Sequence, residues 1–275
     1  MQEKQSDLLK RRNSAKSNDD LGGIPSALKN DAFLTFAVQL AKESAQILLK
    51  MQKKAKIVKY KGKGDFALDA DYESEQYIMK RIKEKYPEHD ILTEETGHHH
   101  KKSDYLWIID PLEGTLNYAH SLPIWAVNIG LFYKGQPFIG VVYSPILKEL
   151  FYAEKRKGAY LNGKRIHVNK DSELSKSFCS VTTVKPGKIP SEYIVRELGC
   201  AGIELSYVAC GRFSARIKHH GSDPYGYGAG SIIILEAGGK ITDTKGKQWN
   251  LKSDGVLASN GKLHDKLLKL LGNTS

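Results

Sequence analysis

"LWIIDPLEGTLNY", residues 106–118, runs from four apolar residues into Asp110, Pro111, Glu113, Gly114, Thr115 and Asn117. Leu106 to Ile109 reads as a buried strand, and the residues after it are unlike an ordinary turn. Strand ends hold side chains rigidly, so carboxylates placed there can converge on a hard cation. Pro111 fixes the backbone after Asp110, which lets Asp110 and Glu113 reach one point with the Leu112 carbonyl turned toward it. Gly114 and Thr115 then leave backbone N–H groups and a hydroxyl for a phosphate oxygen. A cation beside a phosphate cradle implies phosphoryl chemistry.

Further acidic residues fall at similar places. Glu94 and Glu95 follow the apolar pair Ile91-Leu92, and Asp65, Asp69 and Asp71 lie between a glycine-containing turn and a helical stretch. A cluster offering only oxygen ligands points to magnesium, or to manganese.

Outward from these residues the chain reads as mixed α and β. Asn30-Asp31 is a helix N-cap, and Phe33, Phe36, Ala37, Leu40, Ala41, Ala45 and Leu48 recur at helical spacing as far as about Met51. A second helix is expected from Tyr72 to Tyr86, ended by Pro87. Strands are expected at 91–92, 106–109, 126–133, 138–143 and 150–153, joined by short turns such as Lys134-Gly135 and the hairpin-type Asn162-Gly163, in an antiparallel sheet. The second half predicts a helix near 191–198, a strand near 203–209, a helix near 229–237 stopped by Gly238-Gly239, and an amphipathic helix over 263–271. Runs of helices and strands without strict alternation predict a layered α+β fold.

Residues 1–30, charged and aperiodic, read as a disordered tail, followed by one domain over 31–275 with a metal-site half to about 170 and a C-terminal half beyond. No apolar run approaches the roughly 18 residues that span a bilayer, and the polar N-terminus lacks the apolar centre of a signal peptide, so a soluble, cytoplasmic protein without a membrane partner is expected. The three cysteines form no disulfide framework and have no metal-ligand spacing. The net charge of +11 favours anionic partners, but the basic residues are scattered and form no nucleic-acid motif; a small phosphorylated metabolite fits better than nucleic acid. The run His98-His99-His100, followed by two lysines, reads as exposed loop and not as a metal site.

Residues 110–118 match the pattern D-P-[IL]-D-G-T-x-N-[FY] at all but one defined position, and the chain thereby resembles the inositol monophosphatase family. Gly64-Asp65 through Asp71, the Glu94-Glu95 pair, Pro224-Tyr225-Gly226 through Gly230, and Glu236 to Gly239 are similar to the family's other pieces, in order, so the resemblance spans about residue 32 to the C-terminus. It implies a layered αβαβα sandwich of the inositol monophosphatase and fructose-1,6-bisphosphatase type, a homodimer, and magnesium-dependent, lithium-sensitive hydrolysis of a phosphate monoester. Carried over by position, Glu94, Asp110 and the Leu112 carbonyl would hold a first ion, and Asp110 and Glu113 would share a second. Glu94 and Thr115 would activate the attacking water with Asp71 supporting Thr115. Gly114 and Thr115 would hold the phosphate, and Gly199, Cys200 and Ala201 would line the substrate pocket.

Several positions depart from the pattern. Glu113 stands where the family has Asp, adding about 1.5 Å of reach in a crowded site. Gly226 stands where the family places the aspartate that completes the second metal site. Asp223 is the carboxylate that could swing in, or else a helix cap. His219 replaces a substrate-contacting Glu and would suit a second phosphate, or belongs to a solvated loop; Leu68 replaces a Thr. Two readings stay open: an enzyme acting on inositol monophosphate or a related ester such as fructose bisphosphate, 3'-phosphoadenosine 5'-phosphate or NADP, with an altered second metal site; or a catalytically reduced relative that binds a phosphorylated ligand, a protein or RNA.

Overall fold

The computed structural model describes residues 31–62, 65–182 and 194–272. The expected N-terminal tail therefore lies outside the described residues. Helix α1 (Ala32–Met51) starts where Asp31 accepts hydrogen bonds from the N–H groups of Phe33 and Leu34, as the capping reading requires. A hairpin of β1 (Ile57–Gly62) and β2 (Asp65–Leu68) leads to α2 (Asp69–Lys85). Then come β3 (Asp90–Thr93), β4 (Gly97–His99), β5 (Tyr105–Glu113), the short α3 (Thr115–Ala119), β6 (Ala126–Tyr133), β7 (Gln136–Ser144), β8 (Glu149–Glu154), β9 (Gly158–Leu161) and β10 (Lys164–Ile166). These strands make an eight-stranded sheet in the order β10-β9-β8-β7-β6-β5-β3-β4, antiparallel except between β3 and β5. The β9–β10 turn places Asn162 and Gly163 both at positive φ, as the hairpin reading of that pair requires.

The second half holds β11 (Phe178–Thr182), β12 (Ile194–Val195), α4 (Ala201–Ala209), β13 (Ala215–Lys218), α5 (Pro224–Glu236), β14 (Lys240–Thr242), β15 (Val256–Ser259) and α6 (His264–Gly272). Its five-stranded sheet, β12-β11-β13-β15-β14, mixes parallel and antiparallel pairs. One core joins α1 and α2 to the large sheet, a second fills the space where α4 and α5 lie between the sheets, and a third packs Leu267 and Leu271 of α6, with Leu263 just before it, on the far side of the small sheet. The layering is α, β, α, β, α, as the resemblance implies.

Three local expectations are corrected. Residues 203–209 are the helix α4, not a strand: Gly202 to Ser206, Val208 and Ala209 are all buried, so the segment has no polar face to reveal a helical period. The helix expected near 191–198 gives way at its described end to β12, whose Ile194 and following Arg196 donate backbone hydrogen bonds to Ser177 and Cys179. The run 98–100 is not simply loop, because Gly97–His99 forms an edge strand on β3.

Two features of the fold aim the site. Between β5 and β6, Asp110 pairs with Asn128 and Glu113 with Ala126, so three steps on β5 oppose two on β6. This bulge lets two side chains an odd number of residues apart face the same way, and it lies inside the strand, with residues 107–113 all buried. The carboxylates are therefore part of β5 and do not follow its end. Helix α5 in turn lies close against the sheet and α4 because small residues line it: Gly228 meets Ile108, Gly230 meets Leu205, and a methyl group on Gly140 of β7 would come within 2.1 Å of the Ala229 carbonyl oxygen. That oxygen is backbone and cannot yield cheaply. Gly140→Ala is expected to lower the free energy of unfolding by about 3 kcal/mol. The exposed helical change Lys83→Ala should stay within about 0.5 kcal/mol, both read from urea titrations.

Candidate active site

The parallel pairing of Thr93 with Ile109 places the next residues of both strands, Glu94 and Asp110, side by side. Asp71, in the first turn of α2, fixes itself by accepting the N–H of Leu68 (2.9 Å) and also receives the Thr115 hydroxyl (3.2 Å). That hydroxyl has one hydrogen, shared with the Leu112 carbonyl at 3.0 Å, so its oxygen keeps lone pairs for another donor. Gly114 turns the chain into α3 at φ 84, a left-handed conformation, and a side chain there would meet the Ile124 carbonyl at 3.0 Å. Asn117 then ties this turn to the opposite half by donating to the carbonyls of Ile124 and Leu198, both at 2.8 Å. Gly199, Cys200 and Ala201 follow at the start of α4.

Glu113 does not project into open space. Its Oε2 accepts hydrogen bonds from Asn128 Nδ2 (2.7 Å), the Gly202 N–H (2.7 Å) and the Cys200 thiol (3.3 Å). Its Oε1 lies 2.8 Å from where a Cβ on Gly226 would stand. The longer carboxylate thus stands against the place that a side chain at 226 would take, so the two departures from the family pattern are neighbours in space. Asp223 caps α5 by accepting the Gly226 N–H at 2.8 Å, while its charge still presses on Glu94, Asp110 and Glu113. The cap reading of Asp223 holds, and it stays within electrostatic range of the cluster.

His219 lies in the loop after β13 and lines a surface cavity with His220, Thr244, Lys245, Leu268, Leu271 and Gly272. No carboxylate of the cluster lines that cavity. The Cys200 thiol is buried and directed at Glu113, so it supports the carboxylate from behind. Sequence reasoning missed Lys61, whose ammonium reaches from the β1–β2 hairpin to Glu94 and Glu95, both at 2.6 Å. It also missed Asn128 and Gly202, and the buried Glu204–Arg216 ion pair (2.7 Å) that braces α4 against β13, with Glu204 also accepting the Leu198 N–H. Only Gly202 left a trace in the sequence, as a glycine in an apolar run; the others announce themselves by no spacing.

The electrostatics are those of crowded acid. Burial, with Glu94 and Glu113 beside it, raises Asp110 well above the usual carboxylate range. Burial also lifts Glu113 to about 7 against its three hydrogen bonds, and lifts Asp71 to about 7 with help from Glu95 and Glu94. Burial opposes charge on Lys61, but its bonds to Glu94 and Glu95 prevail and raise it. One oxygen of Glu95 is buried without a partner. An all-oxygen donor set of mutually repelling acids is the chemistry that suits a hard divalent cation, and Glu94 and Asp110, with the Leu112 carbonyl, are the groups that would have to turn to it. For a second ion the fit is poorer, since Glu113 is committed to its donors and position 226 has no side chain. Among the described residues no three of these carboxylates bring oxygens within 4.8 Å of one another; Lys61 holds Glu94, and the Gly202 N–H holds Glu113.

A group whose folded pKa is raised binds its proton more tightly in the folded state, so its contribution to stability is lost as pH rises through the folded value. For Asp71 and Glu113 that window runs from ordinary values of 3.8 and 4.5 to about 7. The melting temperature of chelator-treated protein should therefore fall across this window by calorimetry, and magnesium should abolish most of the fall.

The sequence profile of the inositol monophosphatase family matches residues 29–274. The chain is 35% identical over 259 residues to inositol monophosphatase 3 of Solanum lycopersicum, covering 88% of this chain and 97% of that one. It is 34% identical over 257 residues to a putative Nus factor SuhB of Neisseria meningitidis, covering 87% and 97%. Among solved structures, a Thermotoga maritima IMPase superposes with a TM-score of 0.82 at 31% identity, covering 88% of this chain and 97% of that one. A match of this length in sequence, joined to the same layering of helices and sheets, is not produced by a shared motif alone, and the chain belongs to the inositol monophosphatase family.

Proposed function

We propose that this chain is a magnesium-dependent phosphomonoesterase acting on inositol monophosphate or a closely related small phosphate ester. Family membership supports phosphatase chemistry in general. The observation that supports hydrolysis by an oriented water is the Thr115 hydroxyl, which gives its hydrogen to Asp71 and the Leu112 carbonyl and so has only an acceptor left to offer. Such an oxygen would orient a water by taking one of its hydrogens, and Glu94, whose charge bears on Asp71 and Asp110, is the carboxylate we assign to take the proton released on attack. Bound magnesium would lower the pKa of that water and neutralise charge on the departing oxygen. The N–H groups at the Gly114 turn would hold the phosphate in line. Glu94 must leave Lys61 to do this work, so the lysine acts as a tethered competitor of the cation.

The second reading, a binding module with little turnover, is favoured by one observation: Glu113 Oε2 already takes three protein donors. The likeness to a putative Nus factor makes RNA or a protein the partner to test in that case.

Phosphate release from inositol 1-phosphate across a magnesium titration decides between them. Glu94→Gln and Asp110→Asn should each lower turnover by about a hundredfold or more; unchanged turnover in either would remove the proposed roles. Gly226→Asp alone should be poorly stable, because its side chain meets Glu113 Oε1, and Glu113→Asp added to it should restore stability and raise magnesium affinity. Simple additivity of the two changes would show that the exchange is not coupled. Lys61→Gln should lower the half-saturating magnesium concentration by roughly fivefold, the equivalent of about 1 kcal/mol for a partly exposed ion pair.

A further inference from the structure

The edge of the large sheet carries a second cluster with different chemistry. Strands β3 and β4 pair antiparallel with Ile91 opposite His99, which sets His98 and His100 on the face of the ribbon that Asp90 shares. The two imidazole rings lie 3.4 Å apart between centroids, and His98 Nε2 is 3.7 Å from Asp90 Oδ2. One ligand atom from each of Asp90, His98 and His100 lies within 4.8 Å of the others, and among the described residues this is the one such group of three. Asp90 is buried and held in place, its Oδ1 accepting the N–H groups of Lys101 and Ser103, while the imidazoles are exposed. The remaining carboxylate oxygen faces the histidines.

We propose that Asp90, His98 and His100 form a transition-metal site, separate from the oxygen-only active site, that takes zinc with water completing its coordination. Two imidazoles and one carboxylate are a borderline donor set that magnesium and calcium do not prefer. Zinc–ligand bonds of about 2.0–2.2 Å bring ligand atoms closer together than they stand here, a distance that small rotations of two exposed imidazoles cover. The site has a structural consequence. The ion would clamp β4 onto β3 at the open end of a hairpin whose turn carries Glu94 and Glu95, bracing the carboxylates of the cleft from outside it.

The test is zinc titration of the full chain, stripped with chelator and held in millimolar magnesium, against a competing chromophoric chelator. Native protein should bind one zinc equivalent that His98→Ala/His100→Ala lacks. Asp90→Asn keeps an acceptor for Lys101 and Ser103 and should weaken binding by at least the roughly tenfold that even a residue hydrogen-bonded to a metal ligand is worth. Cobalt in place of zinc should give visible absorption bands that vanish in the double variant. Unchanged melting temperatures without zinc would show that the variants fold. Equal zinc stoichiometry and affinity in native and double-variant protein would overturn the proposal, as would native binding weaker than about 0.1 mM.

Discussion

Burying a carboxylate is tolerated only where donors meet it, and at Glu113 three donors converge on one oxygen. Its Oε2 takes donors from β6, from the start of α4 and from the Cys200 thiol, while its Oε1 rests against α5 where no side chain competes. One side chain thus fixes the spacing of β5, β6, α4 and α5. Gly202 shares the constraint, because a methyl group there would stand 2.7 Å from Glu113 Oε2 and 2.6 Å from Asn128 Oδ1. The Glu204–Arg216 pair, with Tyr227 bonded to the same guanidinium, secures these helices from the far side. Removing either ion would leave the other buried and alone, which makes the pair a lock on geometry more than a source of net stability.

On the other wall the same problem of crowded negative charge has a movable solution. Lys61 belongs to the β1–β2 hairpin, whose strand β1 is exposed along its whole length, yet its ammonium sits between Glu94 and Glu95. The cleft therefore has a rigid acid wall at Glu113 and a wall at Glu94 whose charge is answered by a side chain on a long, flexible stem. Any cation entering beside Asp110 meets these two walls unequally, and Glu94 is the one that can turn to it.

Much of this was readable in the sequence. The Asp110–Asn117 motif, the Glu94-Glu95 pair and Asp71 were found because acidic and small residues stood out against apolar runs, and the structure brings them together through parallel β3 and β5 and the bulge in β5. Helix α1 was legible from its cap to its last turn because it has one buried and one wet face. Helix α4 was not, since burial on all sides erases periodicity. Lys61, Asn128 and Gly202 were invisible for another reason: each matters through a partner 33 or more, 15 and 89 residues away, a relation that no local pattern encodes. The substitution at 226 looked like a loss until the structure showed Glu113 standing against that place.

Helix α5 contains Gly226, Gly228 and Gly230 within five residues, and each glycine costs about 1 kcal/mol of intrinsic helicity relative to alanine. Those residues are glycine because Glu113, Ile108 and Leu205 stand against them. Such a segment gains too little from its own hydrogen bonds to be a stable helix alone, and its helicity rests on docking against β5, β6 and β7. Whatever the cleft binds across β5 and α5 would therefore stabilise that docking, tightening hydrogen-exchange protection throughout a helix that it touches at one end.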